Sequence, residues 1–198
     1  MKNIILGLAI ATTTFAFCHI SKSTESQNLS NRTQSISQTD NANLTTSSVK
    51  NAKNTVSIKE IISAYLQMKN AFTEDNSNGA ASAGKKLETV FKSYDKSLLT
   101  AAQKKTYEDV EADAIEHAEH IGANGGNIEH QREHFELLSK DIYDLLKKFT
   151  GSQVLYWDFC PMYNNGKGAY WLSETKEIQN PYLGKSMPTC GSIKEELK

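Results

Sequence analysis

The sequence predicts a mainly α domain, an up-and-down four-helix bundle with a C-terminal β-hairpin and loop segment packed on it, carried behind an export segment and a polar tether. Three observations lead there. Four stretches repeat apolar residues at steps of three and four, the breaks between them are short, and beyond Gly151 the texture changes to brief aromatic runs around a turn.

The first eighteen residues read Met1-Lys2-Asn3 and then an almost unbroken apolar run from Ile4 to Phe17. That is too short to span a bilayer comfortably and has a lysine before it, as a secretory signal peptide does. Export ends either by cleavage after Ala16 or with Cys18 as the lipid-accepting cysteine of a lipoprotein. The expected place is therefore periplasmic or secreted, with an outer-membrane lipoprotein as the anchored form, and a lipid on Cys18 would be its sole membrane contact.

Residues 19–55 are rich in Ser, Thr, Asn and Gln and nearly free of large apolar side chains, so burial cannot offset the entropy of ordering them. A tether of that length would reach on the order of 30 Å. Residues 56–198 then form the predicted folded domain, large enough to bury a core without a staple.

Ser57-Ile58-Lys59-Glu60 reads as a capping box opening a first helix over 58–72, with Ile58, Ile61, Ile62, Tyr65, Met68 and Phe72 on its buried face. After a polar break at 74–79, Ala80, Ala83, Leu87, Val90, Phe91 and Tyr94 give a second. Thr100 and Gln103 make another capping box, and Tyr107, Val110, Ala114, His117 and Ile121 are the expected buried stripe of the third. The Gly-rich stretch 122–126 ends it. The fourth is the most regular, with Ile128, Gln131, Phe135, Leu138, Ile142, Leu145 and Phe149 alternating steps of three and four. Val154-Leu155-Tyr156-Trp157 and Ala169-Tyr170-Trp171-Leu172 read as two strands about a turn at 164–168, and the remainder as loop.

With 22 basic and 23 acidic residues interspersed and a net charge of −1, the chain carries no electrostatic footprint for nucleic acid. No Gly-rich phosphate loop, nucleophile elbow or Cys-x-x-Cys motif occurs, so the expectation is a binding module and not an enzyme.

The chemistry-bearing residues are sulfur and imidazole. Cys160-Pro161-Met162 and Met187-Pro188-Thr189-Cys190 put two thiols and two thioethers on two loops, a soft donor set that favours Cu(I) or Ag(I) over harder ions. The alternative is a Cys160–Cys190 disulfide in a structural or interaction domain, with both methionines filling gaps. Of the histidines, His134 borders the core stripe of the fourth helix and is the expected nitrogen ligand beside the sulfurs; His117, His120 and His130 are further metal candidates. Trp157, Tyr170 and Trp171 would line the site and shield the ion. His130-Gln131-Arg132-Glu133-His134 also matches the inverted zinc-protease signature, in which the glutamate is general base, but the pattern lacks an evident third ligand. A di-iron carboxylate site is excluded, because Ala114, His117, Asn127 and Gln131 stand where it would need glutamates before the histidines.

The strings Gln131-Arg132-Glu133-His134-Phe135, Phe159-Cys160-Pro161-Met162, Gly168-Ala169-Tyr170-Trp171-Leu172-Ser173 and Ile178-Gln179-Asn180-Pro181-Tyr182-Leu183-Gly184, followed by Met187 and Cys190-Gly191, resemble an uncharacterised periplasmic domain family. That family occurs alone in exported proteins and fused to Cus-type copper/silver efflux adaptor subunits. The resemblance runs from about residue 56 to 196. It departs at Gln179, where the family usually has arginine, and at Leu183, where it often has phenylalanine. It implies a helical bundle with a metal-handling loop and, by association, a role in copper or silver tolerance with a heavy-metal efflux complex as partner.

Overall fold

The computed structural model describes the backbone of residues 42–149 and 153–198, with side chains from Ile58 onward. The signal segment, Cys18 and most of the expected tether lie outside the described residues. Helix α1 (Ala42–Thr73) begins inside that tether and runs through Ser57, which the sequence had read as a cap; its apolar face starts at Ile58. Helices α2 (Ser77–Lys92), α3 (Ala101–Ala123) and α4 (Ile128–Leu146) follow, and each packs on the one before it. No helix among the described residues is long and apolar enough to cross a membrane.

The apolar spacing holds in three dimensions. Ile58, Ile61, Ile62, Tyr65, Met68 and Phe72 of α1 are buried, and Phe135, Leu138, Ile142 and Leu145 of α4 meet them. Phe135 stacks on Tyr65 at 5.2 Å between centroids and tilts against Phe72 at 5.0 Å. Tyr65 also joins three elements through its hydroxyl, which lies 2.7 Å from Ser139 Oγ on α4 and accepts from Leu172 N at 3.0 Å. The Thr100–Gln103 capping box of α3 forms as expected. On α3, however, Ala118 and not His117 continues the buried stripe from Ala114 to Ile121; His117 sits one residue away and is half-buried at the edge.

Helices α2 and α3 approach through small residues. A Cβ added at Gly84 would stand 2.8 Å from Ala118 O and 2.9 Å from Gly122 N, so the two backbones all but touch where α3 nears its end.

Strands β1 (Leu155–Cys160) and β2 (Ala169–Ser173) form the expected antiparallel hairpin, Trp157 facing Leu172 and Cys160 facing Ala169. Its turn places Asn164 and Asn165 at φ 51° and 55°. The C-terminal residues expected as loop instead form a third strand, β3 (Ser192–Leu197), antiparallel to the other edge of β1, for a sheet order β2-β1-β3. Ser-Ile-Lys-Glu-Glu-Leu carries no buried apolar alternation. It is an exposed, charged edge strand held by main-chain pairing, which leaves no hydrophobic signature.

Gly168, at φ 77°, lets β2 start against β1, because a Cβ there would run into the Phe159 ring and stand 2.9 Å from Cys160 O. Gly168→Ala is expected to lower stability by at least about 2 kcal/mol in chemical denaturation, combining left-handed strain with the clash.

Two buried polar residues fix the C-terminal segment to this frame. Asn180 accepts from Tyr182 N and Leu183 N through Oδ1 and donates to Cys190 O at 2.6 Å. Arg132 donates to Pro181 O, Phe72 O and Asp75 Oδ1 at 2.7, 2.9 and 2.7 Å, tying α4 to the end of α1 and to the Asn-Pro-Tyr turn. Under the sheet, fully buried Lys69 forms an ion pair with Glu174 at 2.8 Å, and Asp158 at the centre of β1 is buried with neither carboxylate oxygen hydrogen-bonded.

Candidate functional site

Four histidines gather where α3 ends and α4 begins. Residues three or four apart share a helix face, so His117 and His120 line one wall while His130 and His134 line the other. The turn between them is pinned. Asn127 caps α4 through the amide of His130, Gly126 N donates to Ser77 Oγ at 2.7 Å, and buried Gln131 exchanges bonds with Ser77 while donating to Ile121 O at 2.8 Å.

The rings are in mutual contact. His120 stacks on His134 at 4.3 Å with 9° between planes, His130 meets His134 edge-on at 4.7 Å, and His117 Nδ1 lies 3.2 Å from His134 Nδ1. One ring nitrogen from each of His120, His130 and His134 falls within 4.8 Å of the others, so these three could hold a metal ion. Ligand atoms around a tetrahedral ion with bonds of about 2 Å lie roughly 3.3 Å apart, and the stacked His120 and His134 rings would have to turn out of their parallel arrangement to aim at one ion.

Burial, followed by the neighbouring rings of His120, His130 and His117, pushes His134 down to about 4, so it is a neutral donor at pH 7. His117 is lowered too, chiefly by burial. Behind it, Asp141 has its Oδ2 buried without a hydrogen-bond partner, 4.0 Å from His117 Nε2; burial, Asp113 and Asp144 push its carboxyl up to about 7.

Glu133, the general base of the zinc-protease pattern, lies against His130 Nδ1 at 3.4 Å and is otherwise exposed. It also lines a groove with Glu129, Arg132, Glu136, Tyr163 and Tyr182 on the far side of α4.

Cys160 and Cys190 form the second group. Both are free, Cys160 buried and Cys190 half-buried, with 3.0 Å between their sulfurs. The hydrogen-bonded neighbour Cys160, aided by burial, raises the Cys190 thiol. Met187 O accepts from Cys190 N at 3.2 Å, and the backbone of Met162 bonds the Cys190 thiol, so the main chain of both methionines adjoins Cys190. The thioethers themselves are open, Met162 being 60% and Met187 44% exposed.

Of the three expected lining aromatics, Trp171 borders this group, lying against Gly191 beside Cys190. Trp157 and Tyr170 stack on each other at 5.1 Å, and Trp157 on Tyr143 at 4.3 Å. Strand alternation puts Trp157 on the sheet face opposite Cys160. His134, expected beside the sulfurs, has its ring contacts with the other three histidines, while its neighbour Phe135, turned about 100° around α4, is the residue that faces the C-terminal segment through Tyr182. The structure thus sorts the candidates into an imidazole group and a sulfur group. Sequence reasoning missed Asp141, Arg132 and Asn180. Asp141 lies seven residues, two helical turns, beyond His134, a spacing that could have placed it on the same face.

No curated protein and no solved structure matches the chain. A family model described as a protein of unknown function (DUF3347) matches residues 61–153, a stretch that holds the four histidines and ends before both C-terminal cysteines. Over a little less than half its length, then, the chain is similar to a family to which that description assigns no function.

Proposed function

We propose that the chain is a non-catalytic metal-binding module working outside the cytoplasm, which takes Cu(I) or Ag(I) on Cys160 and Cys190 with Met162 and Met187 as thioether partners. Its helices serve as an up-and-down bundle that carries the sulfur-bearing loops, and it stores the ion or passes it to a heavy-metal efflux complex. The observation that carries this reading is the pairing of two free thiols, brought together from positions 160 and 190, each with a methionine two or three residues away in sequence. Thiolate and thioether sulfur select soft monovalent ions, and Asn180 holds the Cys190 loop in place before any ion arrives.

A second reading rests on the same pair. At 3.0 Å the sulfurs are closer than the roughly 3.5–4 Å of two thiolates on one ion, so an oxidising compartment would close them to a disulfide as readily as a metal would part them.

The test is competition for Cu(I) against a chromophoric chelator under anaerobic conditions, using full-length reduced protein. One equivalent bound by the wild type and none by Cys160→Ser/Cys190→Ser is expected. Equal affinity of the double variant would overturn the sulfur site. Protein isolated natively in which neither Cys160 nor Cys190 can be alkylated would favour the disulfide.

A further inference from the structure

We infer that His120, His130 and His134 form a separate binding site for a divalent late first-row transition ion such as Cu(II), Zn(II) or Ni(II), with His117 positioning His134 from behind. The inference does not depend on the sulfur reading, since no sulfur takes part.

Three features carry it. The first is convergence: three imidazoles from two helices bring one nitrogen each within 4.8 Å of the others, the number of protein ligands that an ion keeping an open position needs. The second is donor type. An all-nitrogen set suits copper, zinc and nickel in the divalent state, whereas a soft monovalent ion is better served by sulfur. The third is preorganisation, since the backbone of each wall is tied to neighbouring elements before an ion enters. The Gln131–Ser77–Gly126 bonds hold the start of α4, and the Gly84–Gly122 contact holds the end of α3.

His117 supplies what lies behind the ligands. If its proton sits on Nε2, toward Asp141 Oδ2 at 4.0 Å, then Nδ1 accepts from His134 Nδ1–H at 3.2 Å. That leaves the lone pair of His134 on Nε2, available to the ion. An imidazole–imidazole hydrogen bond of this kind fixes the tautomer and orientation of a ligand, and loss of such an outer partner typically weakens binding roughly 10–100-fold.

The experiment uses the full chain carrying Cys18→Ser, Cys160→Ser and Cys190→Ser, titrated with Cu(II) and, separately, Zn(II), each in competition with a chelator. One equivalent of either ion is expected, and the Cu(II) spectrum by electron paramagnetic resonance should carry nitrogen couplings from several imidazoles. His120→Asn, His130→Asn and His134→Asn should each weaken binding by about 100-fold or more, while His117→Asn should cost about tenfold and leave the stoichiometry at one. A triple variant that binds Cu(II) and Zn(II) as tightly as its parent would overturn the site and assign the ion elsewhere in the chain. An independent readout needs no substitution in the cluster. Zinc should protect His120, His130 and His134 from carbethoxylation, and unchanged modification of all three at saturating zinc would equally reject the proposal.

Discussion

Arg132→Ala is expected to cost about 3 kcal/mol in chemical denaturation. Its guanidinium fills three acceptors from three places, Phe72 O at the end of α1, Asp75 Oδ1 in the α1–α2 turn, and Pro181 O in the C-terminal segment. Hydrogen bonds to a charged donor are worth about 1.5–3 kcal/mol each, and truncation leaves a buried carbonyl without its partner. Arg132→Lys keeps the charge but not the fork, and should recover less than half of the loss. The pH dependence follows the same contact. Hydrogen bonding to Arg132 holds the Asp75 carboxyl below its usual value. The stability it adds is present above the ordinary carboxylate range and fades as pH falls through the lowered value; in Arg132→Ala that acid-side fall should flatten. A denaturation midpoint equal to wild type would show that water satisfies all three acceptors.

Asp158→Asn should act in the opposite direction, raising stability at pH 8 by on the order of 3 kcal/mol while leaving it nearly unchanged at pH 4. Burial at the centre of the sheet pushes the Asp158 carboxyl up to about 7, against a smaller pull from Lys69 toward the charged form. From pH 4 to 7 the folded protein therefore holds a proton that the unfolded chain releases, so stability declines across that window as pH rises. Asparagine keeps the shape and removes the titration. Melting temperatures of both proteins from pH 4 to 8 decide the matter. If the variant is the less stable at pH 8, attraction to Lys69 outweighs the cost of burial and the Asp158 carboxylate works as its counter-charge.

The helices were legible because their burial is periodic. Phe135, Leu138, Ile142 and Leu145 are buried as the spacing requires, and Thr100–Gln103 caps α3 as its motif predicts. Strand β3 was not legible, since Lys194, Glu195 and Glu196 stay exposed and main-chain pairing leaves no mark on side-chain composition. For the candidate site, helical spacing pairs His130 with His134, but it cannot say that a turn of four glycine and asparagine residues will fold them onto His120 and His117. Similarly, charge alone argues that Arg132 belongs in water. Only the convergence of Phe72, Asp75 and Pro181 explains its burial.

The near-touching backbones of α2 and α3 make the two walls of the histidine cluster mechanically unequal. Gly122 lies two residues beyond His120, and atoms already at van der Waals limits cannot be compressed, so the α3 wall is stiff. The α4 wall hangs on hydrogen bonds through Asn127, Gln131 and Ser77, which lengthen by tenths of an ångström at small cost. Compliance therefore belongs to α4: ions of different radius would be accommodated by displacement of His130 and His134 toward a stationary His120.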